Sequence, residues 1–378
     1  MKVTLNQTNF NIINPAVRKN NSSYVKYNVP SKTETTVLPN YAQVISNVSF
    51  GMNPHMEFLL NQSERLKCAY TGKIMLPPNE FKMICQKLLK RPNAQSAINL
   101  LQGYQQYMLD VEGIIFDILS EASHKNKRGF DAILKEEAPD ALIRLKEKQK
   151  NILTGTNKII DTMSESVAEQ VRIIRDEALI KMENDTFGRK CPLDKLEKIQ
   201  AKGKDAEKLF KIYKAWYGLP SSSEDIDAFI VKYSKRSHDD ISKRLLSSSV
   251  ATIDHIKSQA SNGSDSLNNM SLVTAYINNK KDNLNLGKFI KLEEDHIDIK
   301  KNLQKHINDV ISQVNNPRMP FSKKPSYPIS VSQTILEETN GDIVLNTDSL
   351  RIPQNLARQD EMFTRRLEQK YTVKRRHG

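Results

Sequence analysis

Apolar residues recur at three- and four-residue steps through the first half of the chain. Ala97, Leu100, Leu101, Tyr104, Tyr107, Met108, Val111, Ile114, Ile115 and Ile118 predict one long amphipathic helix. Ile159, Met163, Val167, Val171, Ile174 and Ala178 repeat that spacing, and Leu196, Ile199, Leu209, Ile212, Tyr213 and Trp216 continue it. Gly155, Gly188 and the Gly218-Leu219-Pro220-Ser221 segment supply the breaks, so a helical bundle is predicted over residues 80–245. Its Tyr and Met positions are read as core, because apolar residues at helical spacing pack inward. Leu286 to Val314 reads as a further, polar helix.

Elsewhere the period is lost. Residues 1–60 are rich in Asn, Ser, Thr, Val and Pro and predict a disordered leader, with Val44–Phe50 a candidate strand or docking peptide. Residues 315–378 turn Pro-, Ser- and Thr-rich, end in KRRHG and predict a flexible basic tail.

A different pattern occupies residues 250–283, VATIDHIKSQASNGSDSLNNMSLVTAYINNKKDN. Val250 to Ile253 is a β-favouring run that delivers Asp254 and His255 to a strand end. Asn262-Gly263-Ser264-Asp265 is turn chemistry, with Gly263 the residue expected to take positive φ. Asn269 follows His255 by fourteen residues and Asn278 follows by nine more, on a segment predicted to be helical from about Ser271.

This order of strand, Asp-His, Gly turn and two spaced asparagines resembles the HNH (ββα-metal) endonucleases, in particular the HNH domain of the CRISPR effector nucleases. The resemblance covers about a tenth of the chain. It implies that His255 is the general base that activates water, a role suited to an imidazole titrating near about 6.5. It gives Asn269 the part of bracing the loop and orienting that base. It also makes Asp254 and Asn278 metal ligands, with Asp282, one turn further along, a third. These are oxygen donors, which suit Mg²⁺ or Mn²⁺ better than zinc. Lys280 and Lys281 stand where the family often carries basic residues, implying contact with phosphate.

The upstream LKCAYTGKIM resembles the first hairpin of such domains, but Thr71 stands where the second cysteine of a zinc knuckle would be. Thr274-Ala275-Tyr276-Ile277 likewise offers no cysteine before Asn278, so no zinc is expected. The three cysteines, Cys68, Cys85 and Cys191, are expected as reduced thiols. His124, His238, His296 and His306 lack partners at ligand spacing and are expected to be solvated.

The expected fold is therefore mainly α with a small α+β unit. An HNH core formed by a first hairpin (61–79) and a catalytic strand, loop and helix with the helix after it (246–314) would carry the bundle (80–245) as an insertion. A net charge of +13 and a pI near 9.4 favour a polyanionic partner, and the resemblance implies that this partner is nucleic acid, DNA foremost. The expected activity is metal-dependent hydrolysis of phosphodiester bonds. The alternative is an HNH-like module, catalytically weak, that binds nucleic acid or a protein partner through its helices. No phosphate-cradling Gly loop and no Gly-x-Ser-x-Gly elbow supports nucleotide hydrolysis or serine chemistry. No run approaches the roughly 20 apolar residues that span a bilayer, and the polar start lacks a signal-peptide core, so a cytoplasmic protein without a membrane partner is expected.

Overall fold

The computed structural model describes residues 54–351, apart from 91–92, 127, 185–186 and 189. Helices dominate. In chain order they are α1 (Pro54–Leu60), α2 (Pro78–Leu88), α3 (Ala94–Gln102), α4 (Asp110–Asn126), α5 (Phe130–Gly155), α6 (Asn157–Ile160), α7 (Glu165–Glu183), α8 (Lys190–Leu196), α9 (Gly203–Tyr217), α10 (Ile226–Tyr233) and α11 (His238–Ser247). Two antiparallel strands, β1 (Ala251–His255) and β2 (Met270–Thr274), come next, followed by α12 (Ala275–Lys281), α13 (Leu286–Glu293), α14 (Ile299–Val314) and α15 (Tyr327–Glu338).

The glycine breaks fall where the sequence puts them: α5 ends at Gly155, Gly188 lies between α7 and α8, and Gly218 caps α9. Two predicted helices are broken in ways the apolar spacing does not show. The run from Ala97 to Ile118 is divided between α3 and α4, because Gly103 caps α3 and Met108 turns extended, at φ −65° and ψ 136°. The run from Leu286 to Val314 is likewise divided, with the Asp298 side chain accepting from Lys301 N to start α14.

Three apolar cores organise these elements. One surrounds the sheet and joins Leu59, Tyr70, Leu272, Ile277, Phe289 and Tyr327. A second gathers Phe81, Ile98, Phe116, Phe130, Phe229 and Leu245, and a third holds Leu153, Val171, Trp216 and Tyr217. Helix α5 runs between the last two, placing Ile133 and Leu134 in one and Leu153 in the other. Arg244 lies buried among the bundle helices, 2.5 Å from Glu112 and 2.9 Å from the Tyr233 hydroxyl. Such a pair is held only because nearly all its donors are met.

The chain leaves for the bundle and returns at one place. Leu76 pairs in parallel with Val250, with Leu76 N donating to Ser249 O and Ala251 N to Leu76 O, both at 2.9 Å. Segment 66–75 therefore shares the sheet's core, although more than 170 residues separate it from the strands.

Residues 54–60 and 315–351 do not belong to a disordered leader or a flexible tail as composition suggested. Helix α1 lies within 1–60 and buries Leu59 in the sheet core. Within 315–378, Phe321, Tyr327, Val331, Ile335, Ile343 and Leu345 belong to the same core. Their apolar side chains are spaced between prolines and serines, which masks the helical period of α15. Val44–Phe50 and the final KRRHG lie outside the described residues. Among the described residues no helix is long and apolar enough to cross a membrane.

Candidate functional site

The segment 250–282 folds as strand, loop, strand and helix. In the β1–β2 ladder Asp254 lies opposite Ser271 and His255 opposite Met270. Met270–Thr274 is thus a strand, and the helix predicted from Ser271 begins at Ala275. The five residues Met-Ser-Leu-Val-Thr are all buried against the core, which favours the pleated form, and the Thr274 hydroxyl then caps α12 by accepting from Ile277 N.

Asn269 closes the loop between the strands. Its Oδ1 accepts from Lys257 N at 2.8 Å, and its Nδ2 donates to Lys257 O at 3.0 Å and to Ser264 O at 2.8 Å. One amide side chain thereby fixes both ends of the turn. The left-handed residue in that turn is Asn262, at φ 61°, and not Gly263 as the sequence suggested. Gly263 is required for another reason: a Cβ there would lie 1.9 Å from the Lys257 carbonyl oxygen.

His255 projects from the end of β1 with its ring partly accessible. Its Nε2 lies 2.8 Å from Asp265 Oδ1, and Gln259 Nε2 donates to the same oxygen at 2.9 Å. The Gln259 bond, followed by the His255 bond, holds the Asp265 carboxyl below its ordinary range. An anionic acceptor assigns the proton to His255 Nε2, which leaves the Nδ1 lone pair available; Nδ1 makes no hydrogen bond among the described residues. Asp265 was read only as turn chemistry, and its position ten residues after His255 is the sequence signal for this contact.

Asp254 has a different setting. It is 2% exposed. Its Oδ2 accepts from the Tyr70 hydroxyl at 2.6 Å, and its Oδ1 lies 3.2 Å from Lys281 Nζ, which also donates to the His255 carbonyl at 2.7 Å. Burial, reinforced by the Asp254 charge, pushes the Tyr70 phenol well up, so it keeps its proton and donates. Asn278 Nδ2 donates to Ile253 O at 3.1 Å and reaches Thr252 Oγ1 at 3.4 Å, which sets α12 across β1. Asp282 ends α12 at φ 47°, with its Oδ2 3.4 Å from Lys190 Nζ.

Two expectations from the resemblance are corrected here. Lys280 and Lys281 do not present charge to a phosphate, since both side chains are fully buried. Lys280 reaches Glu293 at 2.8 Å and Glu224 at 3.4 Å, under the rings of Tyr217 and Tyr276, while Lys281 turns the other way onto Asp254. Successive helical positions point about 100° apart, so neighbouring lysines serve two different carboxylate sites.

The ligand set Asp254, Asn278 and Asp282 also does not fit a hard divalent ion in this arrangement. Both Asp254 oxygens already accept hydrogen bonds, and the Asp282 carboxylate engages Lys190 from the bundle.

No protein-family description, curated protein or solved structure matches this chain. The functional reading therefore stands on the site's own chemistry.

Proposed function

We propose that the strand-loop-strand-helix unit is an HNH-type nuclease centre that hydrolyses nucleic-acid phosphodiesters, DNA foremost, with His255 as general base. The observation that carries this reading is the His255–Asp265 contact at the open end of β1. With Nε2–H donating to the carboxylate, Nδ1 takes the proton of the attacking water, and the Asp265 charge stabilises the imidazolium that results. Asn269 supports the base indirectly by fixing the loop that carries Asp265. The net charge of +13 adds the long-range attraction a polyanionic substrate requires.

The test is nicking of supercoiled plasmid with Mg²⁺ or Mn²⁺ supplied. His255→Ala is expected to fold and retain DNA binding but to lose about 100-fold or more in cleavage rate, the usual contribution of a positioned base. Undiminished nicking by this variant removes the reading.

A second reading, a module that binds nucleic acid or a protein without cutting, draws support from the closed setting of Asp254. In the same assay it retards the plasmid and leaves it supercoiled.

A further inference from the structure

The carboxylate that the resemblance gives to a metal ion already has its cation. Lys281 Nζ lies 3.2 Å from Asp254 Oδ1 and donates to the His255 carbonyl at 2.7 Å, while the Tyr70 hydroxyl holds Oδ2 at 2.6 Å. The Asn278 amide donates to Ile253 O at 3.1 Å, and Asp282 engages Lys190. A fully buried ion pair resists opening, because the charge left behind is heavily penalised. These groups brace the backbone around the base and offer little to a substrate.

Two other groups meet solvent at the open end of β1. His255 keeps its Nδ1 lone pair available, with Nε2 on Asp265 at 2.8 Å. Lys257, two residues further on, is exposed, and its ammonium makes no hydrogen bond or ion pair among the described residues. Its backbone is nevertheless fixed, the N–H and the carbonyl both bonded to Asn269 at 2.8 and 3.0 Å, with Gly263 packed on that carbonyl. One base and one uncommitted cation on a braced loop suit a phosphodiester that brings its own nucleophile. In DNA a water must attack, and the charge on the leaving 3′ oxygen is what a metal ion ordinarily stabilises. In RNA the 2′-hydroxyl already stands beside the phosphorus, and well-oriented intramolecular groups reach effective molarities of about 10⁵–10⁸ M. Taking the proton from that hydroxyl is work an imidazole does alone.

We propose that the His255 site cleaves RNA by transesterification without a divalent ion, with the 2′-hydroxyl as nucleophile and Lys257 against the phosphate. The inference rests on His255 as the general base and moves the substrate class from DNA to RNA. His255 Nδ1 takes the 2′-hydroxyl proton, the O2′–P bond forms as the P–O5′ bond breaks, and the 5′ oxygen takes a proton from water. The imidazolium then returns its proton to the hydroxide so formed. A 2′,3′-cyclic phosphate and a 5′-hydroxyl remain. The Lys257 ammonium offsets the charge that gathers on the non-bridging oxygens.

The full chain is incubated in EDTA with labelled single-stranded RNA, beside DNA of the same sequence. The RNA is expected to be cut, with cyclic phosphate ends read by mass spectrometry, and the DNA to stay intact. One deoxynucleotide placed in the RNA is expected to block cleavage after it, a result that needs no protein variant. His255→Ala is expected to lose about 100-fold or more in rate. Lys257→Ala is expected to lose about tenfold, less than a buried oxyanion donor because the ammonium faces water, and Lys257→Arg to keep most of the rate. RNA left intact in EDTA overturns the proposal. So do 5′-phosphate ends, cleavage after the deoxynucleotide, or an unchanged rate in either alanine variant. Plasmid nicking with Mg²⁺ that is lost in His255→Ala, beside RNA untouched in EDTA, sinks this inference alone and leaves the nuclease reading standing.

Discussion

The loop between β1 and β2 and the helix α12 that follows it are only a few residues apart, yet they hold polar groups in opposite ways. The loop relies on hydrogen bonds around one exposed carboxylate: the buried Asn269 amide grips Lys257 and Ser264, and Gln259 and His255 share the exposed Asp265. Helix α12 carries charges inside, with Lys280 between Glu224 and Glu293 and Lys281 against Asp254. A buried charge is strongly penalised once its partner goes, whereas a surface hydrogen bond lost to water costs little. Damage to α12 should therefore appear as lost stability, and damage to the loop as lost chemistry.

The largest expected effect breaks the buried side of that comparison. Lys280→Met leaves the carboxylates of Glu224 and Glu293, each 1% exposed in its side chain, without their shared cation. A loss of about 3–5 kcal/mol in unfolding free energy by urea titration is expected, as for other broken buried pairs. Combining it with Glu293→Gln is expected to recover part of the loss, because one stranded charge disappears. A decrease under about 1 kcal/mol would mean that the cluster behaves like a surface pair.

The difference between the two regions also governs what could be read from the sequence. The loop was largely legible, since Asp-His at a strand end, a glycine turn and Asn269 are local features whose chemistry follows from short spacing. The partners of α12 were not. Tyr70 and Asp254 lie 184 positions apart, and Lys280 meets Glu224 from 56 positions away, distances at which composition carries no pairing information. For that reason Lys280 and Lys281, in the polar-looking run NNKKDN, read as phosphate contacts when both are core residues. Helix α15 escaped notice for a local reason: Pro328, Ser330 and Ser332 sit among its apolar positions and blur the period. The predominance of helix and the glycine boundaries followed directly from the apolar spacing.

A second, smaller effect contrasts two histidines. His255 sits at the edge of the loop, whereas His306 on α14 is 5% exposed in the sheet core, contrary to the solvated setting its sequence neighbourhood suggested. Burial pushes His306 down from 6.5 to about 4, against a hydrogen bond of its Nδ1 with Lys67 O at 3.1 Å that acts the other way. Between those values the unfolded chain binds a proton that the native protein excludes. Stability is therefore full above about 6.5 and falls as the pH drops toward 4, by about 3 kcal/mol for this group. His306→Gln, which keeps a donor for Lys67 O, is expected to flatten that slope in urea titrations at pH 7.5 and 4.5. An unchanged slope would place the acid sensitivity elsewhere.

The smallest expected change in stability falls on the loop, and it separates the two regions most cleanly. Gly263→Ala sets a Cβ 1.9 Å from the Lys257 carbonyl oxygen and 2.9 Å from Asn269 Nδ2, so the turn must open where Asn269 closes it. The tip of the turn, Ser261, Asn262, Ser264 and Asp265, is exposed and can shift into water, which limits the cost to about 1–2 kcal/mol. Yet the displaced strand of loop carries Asp265, and moving that carboxylate away from His255 Nε2 removes the contact that assigns the ring's proton. Thermal melting close to that of the unaltered protein, together with a drop in plasmid nicking of about tenfold or more, is the expected pair of results. Full nicking activity in a protein with the shifted turn would show that Asp265 does not orient the base, and the division of labour between an open loop for chemistry and a charged interior for stability would lose its first half.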